Sequence, residues 1–135
     1  MNTDGHRKVM SLEKEFLFKE ITKDVLDSAF NVHNALGCGL LEKVYSNAMV
    51  WDLEIKKINV CEQKEFQVIY RDKEVGLYYA DLVVDGKVII EIKSVEKLDD
   101  VHRAQLLIYL RISGIRVGLL INFARPKLEF ERLIV

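Results

Sequence analysis

The segment that most narrows what this chain can fold into is Asp81–Lys93, DLVVDGKVIIEIK. Two apolar runs, Leu82–Val84 and Val88–Ile90, flank Asp85-Gly86, and an Asp-Gly pair between β-branched runs predicts a β-hairpin. Strand side chains alternate faces, so Glu91 and Lys93 point the same way. A hairpin returns Glu91 to the neighbourhood of Asp81, which gathers two acids and a lysine at one end of an apolar ribbon. The register decides whether the acids share a face. A two-residue turn pairs Val84 with Lys87 and leaves Asp81 and Glu91 on opposite faces. A three-residue loop, Val84-Asp85-Gly86, pairs Val83 with Lys87, sets Asp81 across from Ile89 and places it diagonal to Glu91 on one face. Hard divalent cations are held by one or two carboxylates plus water, so cation chemistry here requires the second register or a bulge elsewhere in the hairpin.

The rest of the chain reads as elements around that hairpin. A helical period through Ile21, Val25, Ala29, Val32 and Leu36 predicts a helix from about Phe18, stopped at Gly37-Cys38-Gly39. A second helix is predicted from about Leu40 to Lys57, with Leu41, Val44, Tyr45, Ala48, Trp51 and Ile55 as its buried stripe. Phe66, Val68 and Tyr70 alternate with polar residues as in a half-buried strand. Arg71–Glu74 is a polar turn, Val75–Val84 a second strand with a bulge expected near Gly76, and Lys87–Lys93 a third. Asp99 suits the N-cap of a helix whose apolar faces include Val101, Ala104, Leu107, Ile108 and Ile112 and which ends at Gly114. Val117–Phe123 reads as a buried strand, and Leu128–Val135 as a last edge strand. Residues 1–15 form a loose N-terminal extension, helical from about Ser11, ahead of one domain over 16–135. The order α, α, β, β, β, α, β, β specifies an α/β fold of the α+β, mixed-sheet kind, with helices on the sheet faces. A meander leads into a right-handed βαβ crossover.

Composition excludes several classes. With 20 Lys and Arg against 21 Asp and Glu, the net charge is −1, so any nucleic-acid surface must be a local patch. The two cysteines, Cys38 and Cys61, lie in no zinc-binding spacing and read as reduced thiols. No apolar run approaches the ~18–20 residues of a membrane span, and no signal-peptide core opens the chain. A cytoplasmic protein without membrane association is the expectation. Nucleotide-binding and serine-hydrolase motifs are missing from the sequence.

Several residues are candidates for chemistry, each with an ordinary alternative. Glu91 falls between Ile90 and Ile92, where a desolvated carboxylate needs a partner; Asp81, Glu91 and Lys93 otherwise read as solvated strand ends. Gln105 and Tyr109 are four apart and share a helix face, which either approaches the acids or forms a polar edge. His102 and Arg103 open the same helix, within reach of phosphate or of solvent. Glu42 lies in the first turn of the second helix, where the helix dipole favours an acid; it either rests on that or completes a metal shell.

Taken in order, Asp81, Glu91-x-Lys93 and Gln105-x-x-x-Tyr109 resemble the PD-(D/E)XK nuclease superfamily. Gly39-x-x-Glu42-x-x-Tyr45 resembles the signature of its GxxExxY family, and the likeness covers about residues 18–135. The resemblance implies a restriction-endonuclease-like αβββαβ core, here with an extra N-terminal helix and a C-terminal edge strand. It also implies metal-dependent hydrolysis of phosphodiester bonds in nucleic acid, DNA first and RNA as the alternative. Asp81 and Glu91 would hold Mg²⁺ or Mn²⁺ with the Ile92 backbone carbonyl, and Glu42 would be the acid from the preceding helix. Lys93 would position the attacking water and stabilise transition-state charge, while Gln105 and Tyr109 would orient phosphate or the catalytic groups. A homodimer is open, because cutting two strands commonly takes two copies. Ala80 replaces the proline before the first acid, and Tyr79 stands where relatives often carry a basic residue. The rival implication is a catalytically silent binding or scaffold protein that kept the fold and acts through partners.

Overall fold

The structure, a computed structural model, describes residues 17–135. The N-terminal extension and the helix expected from Ser11 lie outside the described residues. The elements are α1 (Lys19–Leu36), α2 (Glu42–Ile55), β1 (Val60–Tyr70), β2 (Lys73–Val84), β3 (Val88–Lys93), α3 (Asp100–Ser113), β4 (Val117–Asn122) and β5 (Glu129–Ile134). They match the expected order. The five strands form one mixed sheet in sequential order, antiparallel except for the parallel β3–β4 pair that α3 bridges. β5 lies at one edge, as the sequence suggested, and β1 at the other.

The sheet is covered on both faces. Leu82, Val84, Val88, Ile90, Ile92, Leu119 and Ile121 pack with Val25, Ala29, Tyr45, Met49 and Leu53 of α1 and α2. Ala80, Val83, Ile89 and Leu120 pack with Leu106 and Leu110 of α3. β3 and β4 are buried along nearly their whole length, which explains their unbroken apolar sequences. By alternation Glu91, between Ile90 and Ile92, lies on the α3 side. α3 begins at Asp99, whose carboxylate accepts hydrogen bonds from the backbone N–H groups of Val101 and His102, as its N-cap position predicted.

Three expectations about packing and register are corrected. In α2 the buried residues are Tyr45, Ser46, Met49 and Leu53, while Leu41 is 77% and Trp51 65% exposed and Val44 and Ile55 are also exposed. The helix carries two overlapping apolar stripes, and the sheet takes the one that includes Tyr45. In α3 the buried pair is Leu106 and Leu110, whereas Val101 and Ile108 are exposed. In the hairpin, Val84 pairs with Val88 and Val83 with Ile89, so the loop is Asp85-Gly86-Lys87. Asp85 and Gly86 both have positive φ, 52° and 65°, as in a type I′ turn, and Lys87 N–H donates to the Val84 carbonyl at 2.9 Å. The loop has three residues, but it sits one residue later than the expected Val84-Asp85-Gly86. Asp81 therefore falls directly opposite Glu91 rather than diagonal to it. The bulge expected near Gly76 is present: Val68 pairs with Gly76 and Ile69 with Glu74, leaving Val75 unpaired.

Candidate active site

The loop before α2 ties that helix to the end of β3. Gly39 takes φ 104°, a conformation that side chains rarely adopt, and turns the chain into the helix. Tyr45, one turn inside α2, is fully buried and stacks on Phe123 with ring centroids 4.5 Å apart. Its hydroxyl donates to the Gly37 carbonyl at 2.6 Å and accepts from Leu40 N–H at 3.2 Å. This pins the glycine loop, so that Glu42 Oε1 accepts from Ser94 N–H at 3.0 Å, just past β3. The spacing Gly39, Glu42, Tyr45 thus has a physical reading: a turn, an acid delivered to the strand end, and an anchor one turn later.

At the same end of the sheet the β2–β3 ladder gives way to side-chain bonding. Past the last pair, Leu82 with Ile90, Asp81 Oδ2 accepts the Ile92 N–H at 2.8 Å. Alternation along β2 breaks here, because Val83 and Ala80 both face α3 while Leu82 faces α1 and α2. The β1 residue in register with Asp81 is Gln63, at φ 51°. Among the described residues, the other non-glycine residues with positive φ lie in turns or at helix ends, and only Gln63 lies within a strand. Such a conformation costs about 1–2 kcal/mol, and it sits beside Asp81, where the alternation of β2 breaks.

Glu91 is 4% exposed, and its Oε1 has no hydrogen-bond partner. Burial, then the hydrogen bond and negative charge of Asp81, push its carboxyl up from 4.5 to about 9, with Lys93 acting weakly the other way. Lys93 Nζ donates to Gln105 Oε1 at 3.2 Å, and Gln105 Nε2 donates to the Tyr109 hydroxyl at 3.3 Å. Partial burial, with the charges of Glu91 and Asp81, raises the Tyr109 phenol, so it stays protonated. The helix face and the acids do meet. His102 and Arg103 do not join them. His102 Nδ1 accepts Asp99 N–H at 3.1 Å, and Arg103 is held by Asp100 and by both oxygens of Glu131.

A cleft of about 180 Å³ opens beside Asp81, lined by Glu42, Lys43, Ser46, Gln63 and Ile92. The three acids do not form a ready three-ligand cluster among the described residues. The donor set instead suits a hard, largely hydrated cation: carboxylates, a backbone carbonyl, and a buried carboxylate oxygen left without a partner. Three polar residues here were not singled out from sequence. Ser46 and Gln63 line the cleft. Asn122 is fully buried and bonds Val95 through both its N–H and C=O, which fixes the loop that leaves the Lys93 strand. A single amide ending the apolar run Val117–Ile121 was the available signal for Asn122; Ser46 and Gln63 carried none.

Comparison with protein families matches residues 19–133 to the PD-(D/E)XK nuclease superfamily. No curated protein matches the sequence. Among solved structures, the crystal structure of SSO0001 is similar in fold, with a TM-score of 0.53 and 20% identity over 68% of this chain. The match spans 48% of that chain, less than half its length. Among the described residues no helix is long and apolar enough to cross a membrane.

Proposed function

The chain belongs to the PD-(D/E)XK nuclease superfamily, and from that premise we propose that it is a nuclease of the GxxExxY kind, hydrolysing phosphodiester bonds of DNA with Mg²⁺ or Mn²⁺. The observation that carries this reading is Glu91. A carboxyl held out of water, opposite a second acid and one alternation from a lysine, destabilises the bare protein and is explained by a ligand. Asp81, Glu91, the Ile92 carbonyl and Glu42 would hold the divalent ion, which when bound would supply Lewis-acid polarisation of the phosphate. Lys93, steadied by Gln105, orients the attacking water and stabilises charge on the pentacovalent phosphorus. Tyr109, a neutral phenol, keeps Gln105 in place. The nuclease domain is taken as 16–135, and a homodimer, as open as a monomer, would let two copies cut the two strands of a duplex.

The rival reading, a silent nucleic-acid-binding or scaffold protein, draws on charge. Lys43 is paired with Glu62, and Arg103 with Asp100 and Glu131, on a chain of net charge −1. Incubation of supercoiled plasmid and labelled DNA and RNA oligonucleotides with either metal separates the two. Cleavage is expected to need the ion and to fall roughly 100-fold or more in Asp81→Ala and Lys93→Ala. Cleavage that survives either substitution refutes the assigned roles. Metal-dependent retention of nucleic acid without cleavage favours the scaffold.

A further inference from the structure

We infer that Ser46 and Gln63 hold the water shell of a divalent ion bound beside Asp81. The inference rests on the metal-dependent reading above and assigns two positioning residues to it.

Ser46 lies one turn into α2, is 5% exposed, and its Oγ has no hydrogen-bond partner although it lines the cleft. Buried hydroxyls are nearly always bonded, so an unpartnered one facing a polar cleft points to an occupant. Gln63, an exposed residue of β1, lines the same cleft. Its backbone is held at φ 51° in register with Asp81, and its side-chain amide makes no hydrogen bond among the described residues. Strain of this kind inside a paired strand persists where the surroundings impose it, and it gathers at functional sites.

The chemistry of the ion links the two observations. With few carboxylates on hand, Mg²⁺ or Mn²⁺ keeps several waters, and each water presents protons that need acceptors. Glu42 Oε1 already accepts Ser94 N–H, and Asp81 Oδ2 accepts Ile92 N–H. Lys43, on the rim, is a donor and is paired with Glu62 at 2.8 Å. Apart from the second oxygens of those two carboxylates, which would face the ion itself, Ser46 Oγ and Gln63 Oε1 are the lining side-chain acceptors with no bond of their own among the described residues. They stand on α2 and β1, whereas Lys93 and Gln105 stand on β3 and α3.

Calorimetric titration with MnCl₂ and MgCl₂ tests this on wild type, Ser46→Ala and Gln63→Gly, with thermal melts in chelator alongside. Both substitutions remove the acceptor and relieve the native state, because alanine leaves no orphaned hydroxyl and glycine adopts positive φ freely. Both variants are expected to melt at or above wild type in chelator, yet to bind metal roughly ten- to a hundred-fold more weakly. Gln63→Asn, which tolerates this backbone and keeps an amide, is expected to recover part of the affinity. Unchanged affinity in both variants overturns the inference, as does weaker binding accompanied by a lower melting temperature in chelator. A wild type that binds no metal overturns it together with the metal-dependent reading. If wild type binds metal, the variants weaken it as described, and nothing is cleaved, the inference stands and the nuclease reading alone fails.

Discussion

Glu91→Gln should make the metal-free protein more stable while destroying its metal site. The folded-state carboxyl sits at about 9 against an ordinary 4.5. Between those values the unfolded chain has released the Glu91 proton and the native state still holds it. The native state therefore binds more protons, and unfolding free energy falls as pH rises. The loss runs at about 1.4 kcal/mol per pH unit, so near neutrality it has reached about 3 kcal/mol, a large share of a typical domain's stability. Glutamine keeps the shape and an N–H₂ donor toward Asp81, and it has no proton to lose. Urea unfolding in chelator, followed from about pH 5 to pH 9, reads this directly. Wild type should weaken across that range while the variant stays level, the curves nearly meeting at the acid end and separating by about 3 kcal/mol near pH 7. Excess Mn²⁺ should then stabilise wild type at alkaline pH and leave the variant unmoved. Parallel pH profiles would refute the reasoning, because they would mean that Glu91 ionises as freely in the fold as outside it.

Other features give sharp expectations. Gly118→Ala places a Cβ 2.8 Å from both Cδ atoms of fully buried Leu106 and should destabilise by about 1–3 kcal/mol in denaturant unfolding. Within α2, Leu53→Ala should lose about 2–5 kcal/mol, whereas Trp51→Ser, on the exposed side, should barely move the melting temperature. Glu131 is lowered chiefly by its hydrogen bonds to Arg103, so its contribution is present above about pH 4.5 and disappears as pH falls through the lowered folded value. Glu131→Gln should therefore flatten the acid limb of the stability profile, as measured by melts at descending pH.

What could be read from the chain divides along a physical line. Element order and the Asp99 cap were legible because each follows from neighbours in sequence, whereas the parity of the hairpin stayed open between a two-residue turn and a three-residue loop. A carboxylate inside an apolar strand demands a partner, and Asp81 was within one hairpin of supplying it. The absolute register was not legible, because it depends on whether Asp85 and Gly86 together take left-handed conformations and leave Lys87 as an extra residue. The buried faces of α2 and α3 were misread for a related reason. Periodicity reports every apolar stripe a helix owns, but only the sheet decides which one is covered, and in α2 the stripe at Leu41, Val44, Trp51 and Ile55 was as regular as the one that is buried. Ser46 and Gln63 lay beyond sequence reading altogether. A serine in an amphipathic helix and a glutamine in a polar strand are ordinary until the fold brings both to the lining of one cleft beside Asp81. Their interest comes from missing bonds and a strained φ, which exist only in three dimensions, so the walls of such a site are found by asking which buried or strained polar groups lack a partner.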